Sequence, residues 1–308
     1  MLLAQQMLRL AQQEGRSEWL IAAHYAGANS AYTLGRFAEA RQHMEEARRC
    51  YRPELDLTLL TLFGEHVMVS ALFFGAWSLW MLGRPDESRN VAAEALAIAR
   101  RMGHPHTLGF AYSCSGVLYR LLEEPAEVAA YGEQLAALAE KHGFAFWQVT
   151  AEVLCGWAQA CAGQPQGGAR IAAAIDAIRA GVFVGAVMYF LEMLAEAQGM
   201  LGMHTEQLRV IDEALEIMES IHARHFEAEL YRLKGECLLH LGGNSRESAM
   251  WLQRARDVAH QQGAITLELR AAASLARLGA AGAPPNKASN PAMGQASEGL
   301  LTPLVQMR

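Results

Sequence analysis

Hydrophobic residues recur at intervals of three and four along almost the whole chain, and short breakers interrupt them on a fixed beat. The breakers "LGRF" (34–37), "LGRP" (82–85), "EEPA" (123–126), "AGQP" (162–165), "LGMH" (201–204) and "LGGN" (241–244) each separate two helical patterns. With Gly35, Gly83, Glu123, Gly163, Gly202 and Gly242 as markers, the steps are 48, 40, 40, 39 and 40 residues. A fixed period of this size, filled by helix, tight turn and helix, predicts a solenoid of helical hairpins. No segment shows the short alternating β-branched runs of strands, so the fold class is all-α. The first residues, "MLLAQQMLRLAQQEGR", lack a basic segment and a small-residue cleavage site, and read as a helix preceding the array. The uncharged run Val67 to Leu82 falls short of the roughly 20 residues a membrane span needs and reads as a buried helix.

Inside each unit, a small residue stands seven positions before the marker: Ala28, Ala76, Gly116, Gly156, Ala195 and Gly235. Five positions after it stand Ala40, Ser88, Val128, Gly168 and Gln207. This spacing resembles the tetratricopeptide consensus, in which a small residue on the first helix lets the second approach closely. Gly235 in "AELYRLKGECLLHLG" gives up about 1 kcal/mol of helix propensity relative to alanine, which close backbone packing would repay. Around it, Glu229, Arg232, Glu236 and His240 form one stripe and Leu230, Leu233, Cys237 and Leu241 the opposite one. The tetratricopeptide register assigns the charged stripe to the concave face. Carried along the chain, it places on that face Tyr25, Asn29 and Tyr32, then Phe73, Trp77 and Trp80, then Arg120 and Trp157. Glu192 and Glu196 follow, then Glu229, Arg232, Glu236 and His240. The expected groove is aromatic at one end and acidic at the other, with the aromatic residues either anchoring a partner or filling gaps between helices.

A formal charge of −6 and only three lysines, Lys141, Lys234 and Lys287, argue against nucleic acid as a partner. The five cysteines are odd in number and scattered, as expected of reduced core residues in a cytoplasmic protein. Chemistry is hard to find. There is no Gly-Lys pair for a phosphate-binding loop, no Gly-x-Ser-x-Gly elbow and no His-Glu-x-x-His helix. Glu219 and His222 in "EIMESIH" have di-iron spacing, but such sites need that motif twice plus two further glutamates. His104 and His106 in "HPH" open a helix at Pro105 and suit capping or surface roles. No catalytic residue, metal or cofactor is expected.

Three longer stretches, 71–111, 141–165 and 226–239 with 262–278, carry a closer likeness, most specific in "ELYRLKGE" and "ELRAAASLARL". The chain up to Leu278 resembles the C-terminal tetratricopeptide region of large bacterial regulators, which join a class III adenylate/guanylate cyclase domain to a predicted signal-transduction ATPase. The resemblance implies a tetratricopeptide-like right-handed superhelical solenoid of about six hairpins plus a terminal half-repeat, over residues 1–279. It implies a non-enzymatic regulatory arm that binds a protein or peptide on its concave face, such as a cyclase or ATPase domain in cis or in trans, and acts by docking. Two segments depart from the family: "FGEHVMV" (63–69), and the tail, with a flexible linker at 280–299 and a short segment at 300–308. Two other readings stay open: a scaffold or adaptor that self-associates, and a ligand-sensing domain using Glu192, Glu196, Glu229 and His240.

Overall fold

A computed structural model describes residues 2–179 and 184–282, and among them the regular structure is entirely helical. In chain order the helices are α1 (Leu2–Glu14), α2 (Ser17–Thr33), α3 (Phe37–Cys50), α4 (Asp56–Phe63), α5 (Val67–Met81), α6 (Pro85–Met102), α7 (Pro105–Leu121) and α8 (Pro125–His142). They continue as α9 (Ala145–Cys161), α10 (Gln166–Arg179), α11 (Val184–Met200), α12 (His204–Ile221), α13 (Glu227–His240), α14 (Ser245–Gln262) and α15 (Ile265–Gly282). Six hairpins, α2/α3, α5/α6, α7/α8, α9/α10, α11/α12 and α13/α14, stack in a right-handed solenoid, with α1 before them and α15 as a half-repeat behind. The expected tail beyond 282 lies outside the described residues.

The beat read from the sequence is a backbone event. All six markers adopt left-handed φ values between 59° and 75°, including the non-glycine Glu123. Each terminates the first helix of a hairpin with the same pair of backbone bonds, as where Gly35 N donates to Tyr32 O and Arg36 N to Ala31 O. The long first step of 48 residues arises because a 3-10 turn (Pro53–Leu55) and α4 are inserted between α3 and α5. At Gly235 a Cβ would stand 2.7 Å from Leu252 Cγ and 3.1 Å from the Ser248 carbonyl, so the missing side chain is what lets α13 touch α14. In the second unit the two consensus positions are bonded directly: Ser88 Oγ donates to Ala76 O at 2.6 Å.

First helices of successive hairpins pack on one another from α2 to α15 and form the inner wall. That position explains α5, whose side chains are nearly all buried although one face of a surface helix would be polar. The second helices are amphipathic, as in α6, where Val91, Ala92, Ala95, Leu96, Ile98 and Ala99 face inward. No single described helix is long and apolar enough to cross a membrane.

The array bends until its end meets its beginning. From α15, Thr266 Oγ1 donates to Trp80 O at 2.6 Å, and Arg270 reaches Leu121 O at 3.3 Å and pairs with Glu123. Gln262 donates to Arg224 O at 2.8 Å, and Arg224 N in turn donates to Thr33 O at 2.6 Å. The acceptors Thr33, Trp80 and Leu121 lie in the last turns of the first helices of units one, two and three. The half-repeat therefore has a partner, although Ile265 and Leu269 remain exposed. The densest group of large exposed apolar residues lies on α1 (Leu2, Leu3, Met7, Leu10) and α4 (Leu57, Leu62).

Candidate functional site

The inner wall divides along the helix axes, with one zone of rings and one zone of charges. From the middle and last turns of α5 and α7 to the first turns of α9 and α11, Phe74 and Trp77 of α5, Phe110, Cys114 and Val117 of α7, Phe146, Trp147 and Thr150 of α9, and Tyr189 and Phe190 of α11 surround a cavity of about 180 Å³. Their rings are braced against one another: Phe74 meets Trp77 edge-on at 5.4 Å, and Trp77 lies 5.9 Å from Tyr189. The indole N–H of Trp77 donates to Cys114 O at 3.3 Å and that of Trp147 to His106 Nδ1 at 3.2 Å. Burial pushes the Cys114 thiol well above its ordinary range and holds it un-ionised.

Toward the carboxyl ends the wall is charged, and its ions are paired with one another. Arg120, only 3% exposed, pairs with Glu192 and stands 3.4 Å from Glu196, which also accepts from Trp157 Nε1 at 2.7 Å. Arg232 holds Glu229 with two bonds of 2.6 and 3.0 Å and Glu236 with one of 2.6 Å. α15 completes the set: Arg270 lies 3.5 Å from Glu229, and Ser274 and Arg277 each donate to Glu236 at 2.6 Å. Four carboxylates, Glu192, Glu196, Glu229 and Glu236, thus meet four guanidinium groups, Arg120, Arg232, Arg270 and Arg277. Burial raises Glu192 to about 7 against the pull of Arg120, whereas at Glu229 burial is outweighed by Arg232 and Arg270 and the carboxyl falls to about 2. Glu196, Arg232, Glu236 and His240 also border a cavity of about 210 Å³, where the His240 ring stacks on His204 at 4.3 Å.

These positions correct the groove expected from sequence. Trp80 is interior, beneath α15, with the Arg270 guanidinium 5.1 Å from its ring centre. Phe73 points away from the channel into the α5–α7 contact, 6.1 Å from Phe110, and its neighbour Phe74 takes the lining position. Tyr32 is wholly buried among Phe74, Trp77 and His225. Trp157 is likewise buried, Tyr25 is half-buried beside Phe74, and Asn29 accepts a 3.4 Å bond from Thr33. The acidic end is neutralised rather than free, because the register of one helix does not show the arginines that other helices bring. Of the predicted set, Trp77 alone lines the aromatic cavity; Glu196, Arg232, Glu236 and His240 share the polar one. The other lining residues lie one to three turns nearer the amino ends, and the same register extended backward by three from Glu192, seven from Trp157 and ten from Arg120 would have reached Tyr189, Thr150 and Phe110.

Elsewhere, His104 accepts from Thr107 N as a helix cap, and Glu219 is engaged by Arg224. Among the described residues no three metal-ligating side chains converge.

No protein-family model matches the chain. An uncharacterised protein of Rhizobium meliloti is 25% identical over 250 residues, which are 80% of this chain and 24% of that protein. The chain thus spans about a quarter of that relative's length. Among solved structures, PlcR of Bacillus thuringiensis, in complex with the peptide PapR7 and DNA, superimposes with a TM-score of 0.54 at 17% identity, over 78% of this chain and 83% of its own. A Rap protein complexed with competence and sporulation factor gives 0.54 at 19% identity, over 80% of this chain and 65% of its own. At such identities the likeness is one of fold, and the fold of this chain is that of a tetratricopeptide-like helical solenoid.

Proposed function

We propose that this chain is a non-enzymatic regulatory module that receives a peptide or protein segment on its inner wall, and that it serves as the arm of a longer signalling protein with a cyclase-type or ATPase-type output. The observation that carries this reading is the aromatic cavity, which faces the channel on rigid first helices and holds no acid, base or metal-ligand set. The charged zone supports it, since each of its four carboxylates is matched by an arginine. Two solenoids of like fold were solved with peptides or signalling factors, and the Rhizobium meliloti relative is about four times as long as the matched region. Binding in such a module acts by favouring one curvature of the array over another, with no bond made or broken.

Immunoblotting source cells against the array, with sequencing of the band, tests the assignment. A polypeptide much longer than 33.7 kDa that carries nucleotide-cyclase or ATPase motifs supports it. In that protein, Val117→Arg in the cavity should uncouple output from stimulus. A 33.7 kDa band that co-purifies with no nucleotide-using protein would overturn the regulatory-arm assignment. The self-association reading draws on the exposed leucines of α1, and sedimentation at several concentrations decides it.

A further inference from the structure

We infer that the cavity between α5, α7, α9 and α11 is an anchor site for one uncharged aromatic side chain of a partner peptide. This rests on the concave-face reading above and names the chemistry that the face selects. Size comes first. At about 180 Å³ the cavity is close to the engineered apolar cavity of roughly 150 Å³ that stays dry and binds benzene, so it takes one ring system and little more. Because it opens into the channel, a ring on a short stem can enter while the backbone that carries it stays outside.

Polarity decides the class of ring. The lining contributes Phe74, Trp77, Phe110, Trp147, Tyr189 and Phe190, and no Asp, Glu, Lys or Arg. A charged occupant would be desolvated without a counter-ion, at a cost of several kcal/mol. The two indole N–H groups are already committed to Cys114 O and His106, and Thr150 Oγ1 donates to Phe146 O, so beyond the hydroxyls of Ser113 and Tyr189 the lining holds no polar donor free for a ligand and no cation for a carboxylate. What remains are ring edges and faces held 5 to 7 Å apart, the geometry that favours a further ring in edge-to-face contact.

The test uses indole as the probe on the full chain, by ligand-observed NMR titration, with tetramethylammonium as the competing class. Indole should saturate with a Kd on the order of millimolar, as expected for a fragment of this size. Filling the cavity with Val117→Phe should weaken it at least tenfold while the thermal melt by circular dichroism stays cooperative. Ser113→Phe, from a second lining position, serves if the first variant does not fold. Absence of saturation, binding indifferent to both variants, or saturation by tetramethylammonium instead of indole would each overturn the inference. If indole does not bind while Val117→Arg still uncouples output, the anchor is wrong and the regulatory reading stands; the converse result sinks the regulatory reading alone.

Discussion

His225 sits where the two ends of the array meet, within 5.1 Å of the Tyr32 ring, 4.9 Å of Tyr189 and 4.5 Å of Phe226. Burial pushes its imidazole down to about 4 from an ordinary 6.5, with the Thr33 carbonyl restoring a little. A depressed histidine means that the unfolded chain binds the proton first. The stability it contributes is therefore full above pH 6.5 and is lost as pH falls toward 4. Denaturant melts across this window should lose about 3 kcal/mol on this account. His225→Phe keeps the ring packing and should flatten that slope; a slope unchanged in the variant would show that other groups set it.

At the scale of the element, the end of α7 departs from its siblings. Five first helices end on glycine, whereas this one ends on Glu123 with φ 59°. A side chain there costs about 1 kcal/mol of backbone strain. Its exposed pairing with Arg270 returns less than that. Glu123→Gly should accordingly raise stability by about 0.5 kcal/mol, after the entropy of a freer unfolded chain is deducted. Glu123→Ala, which keeps the strain and loses the pair, should lower it; midpoints in urea separate the two. This beat of helix ends is also why the hairpins were legible in the sequence: left-handed turns demand glycine or a close substitute, and close helix crossings demand Gly or Ala, as at Gly235 and Gly156. Which inner residues meet was not legible. That Phe74 rather than Phe73 lines the cavity depends on a rotation of one residue, and that Arg270 reaches Glu123 depends on how far successive small bends accumulate.

At the scale of the molecule, α15 ties the sixth unit to the second and third, while Arg224 ties it to the first. Removing its side-chain bonds to the inner wall with Thr266→Val and Arg270→Ala should cost about 2 kcal/mol of local stability. Amide exchange at the ends of α5 and α7 should then quicken about thirtyfold, with the outer helices α8 and α10 little changed. Uniform exchange across all helices would mean that the contact is not a separable clasp.

Closure also limits what this array can become. In an open solenoid each unit touches only its neighbours, so a hairpin can be duplicated or deleted and the rest re-forms around the gap. Here the Thr266 to Trp80 bond joins positions 186 residues apart, and it forms only if the intervening units complete the turn. One hairpin more would carry α15 past Trp80, and one fewer would leave it short. The repeat number is thus fixed by geometry, and relatives of this array should vary in their loops and outer faces, as at the α4 insertion, while keeping the count of units between the first helix and the last.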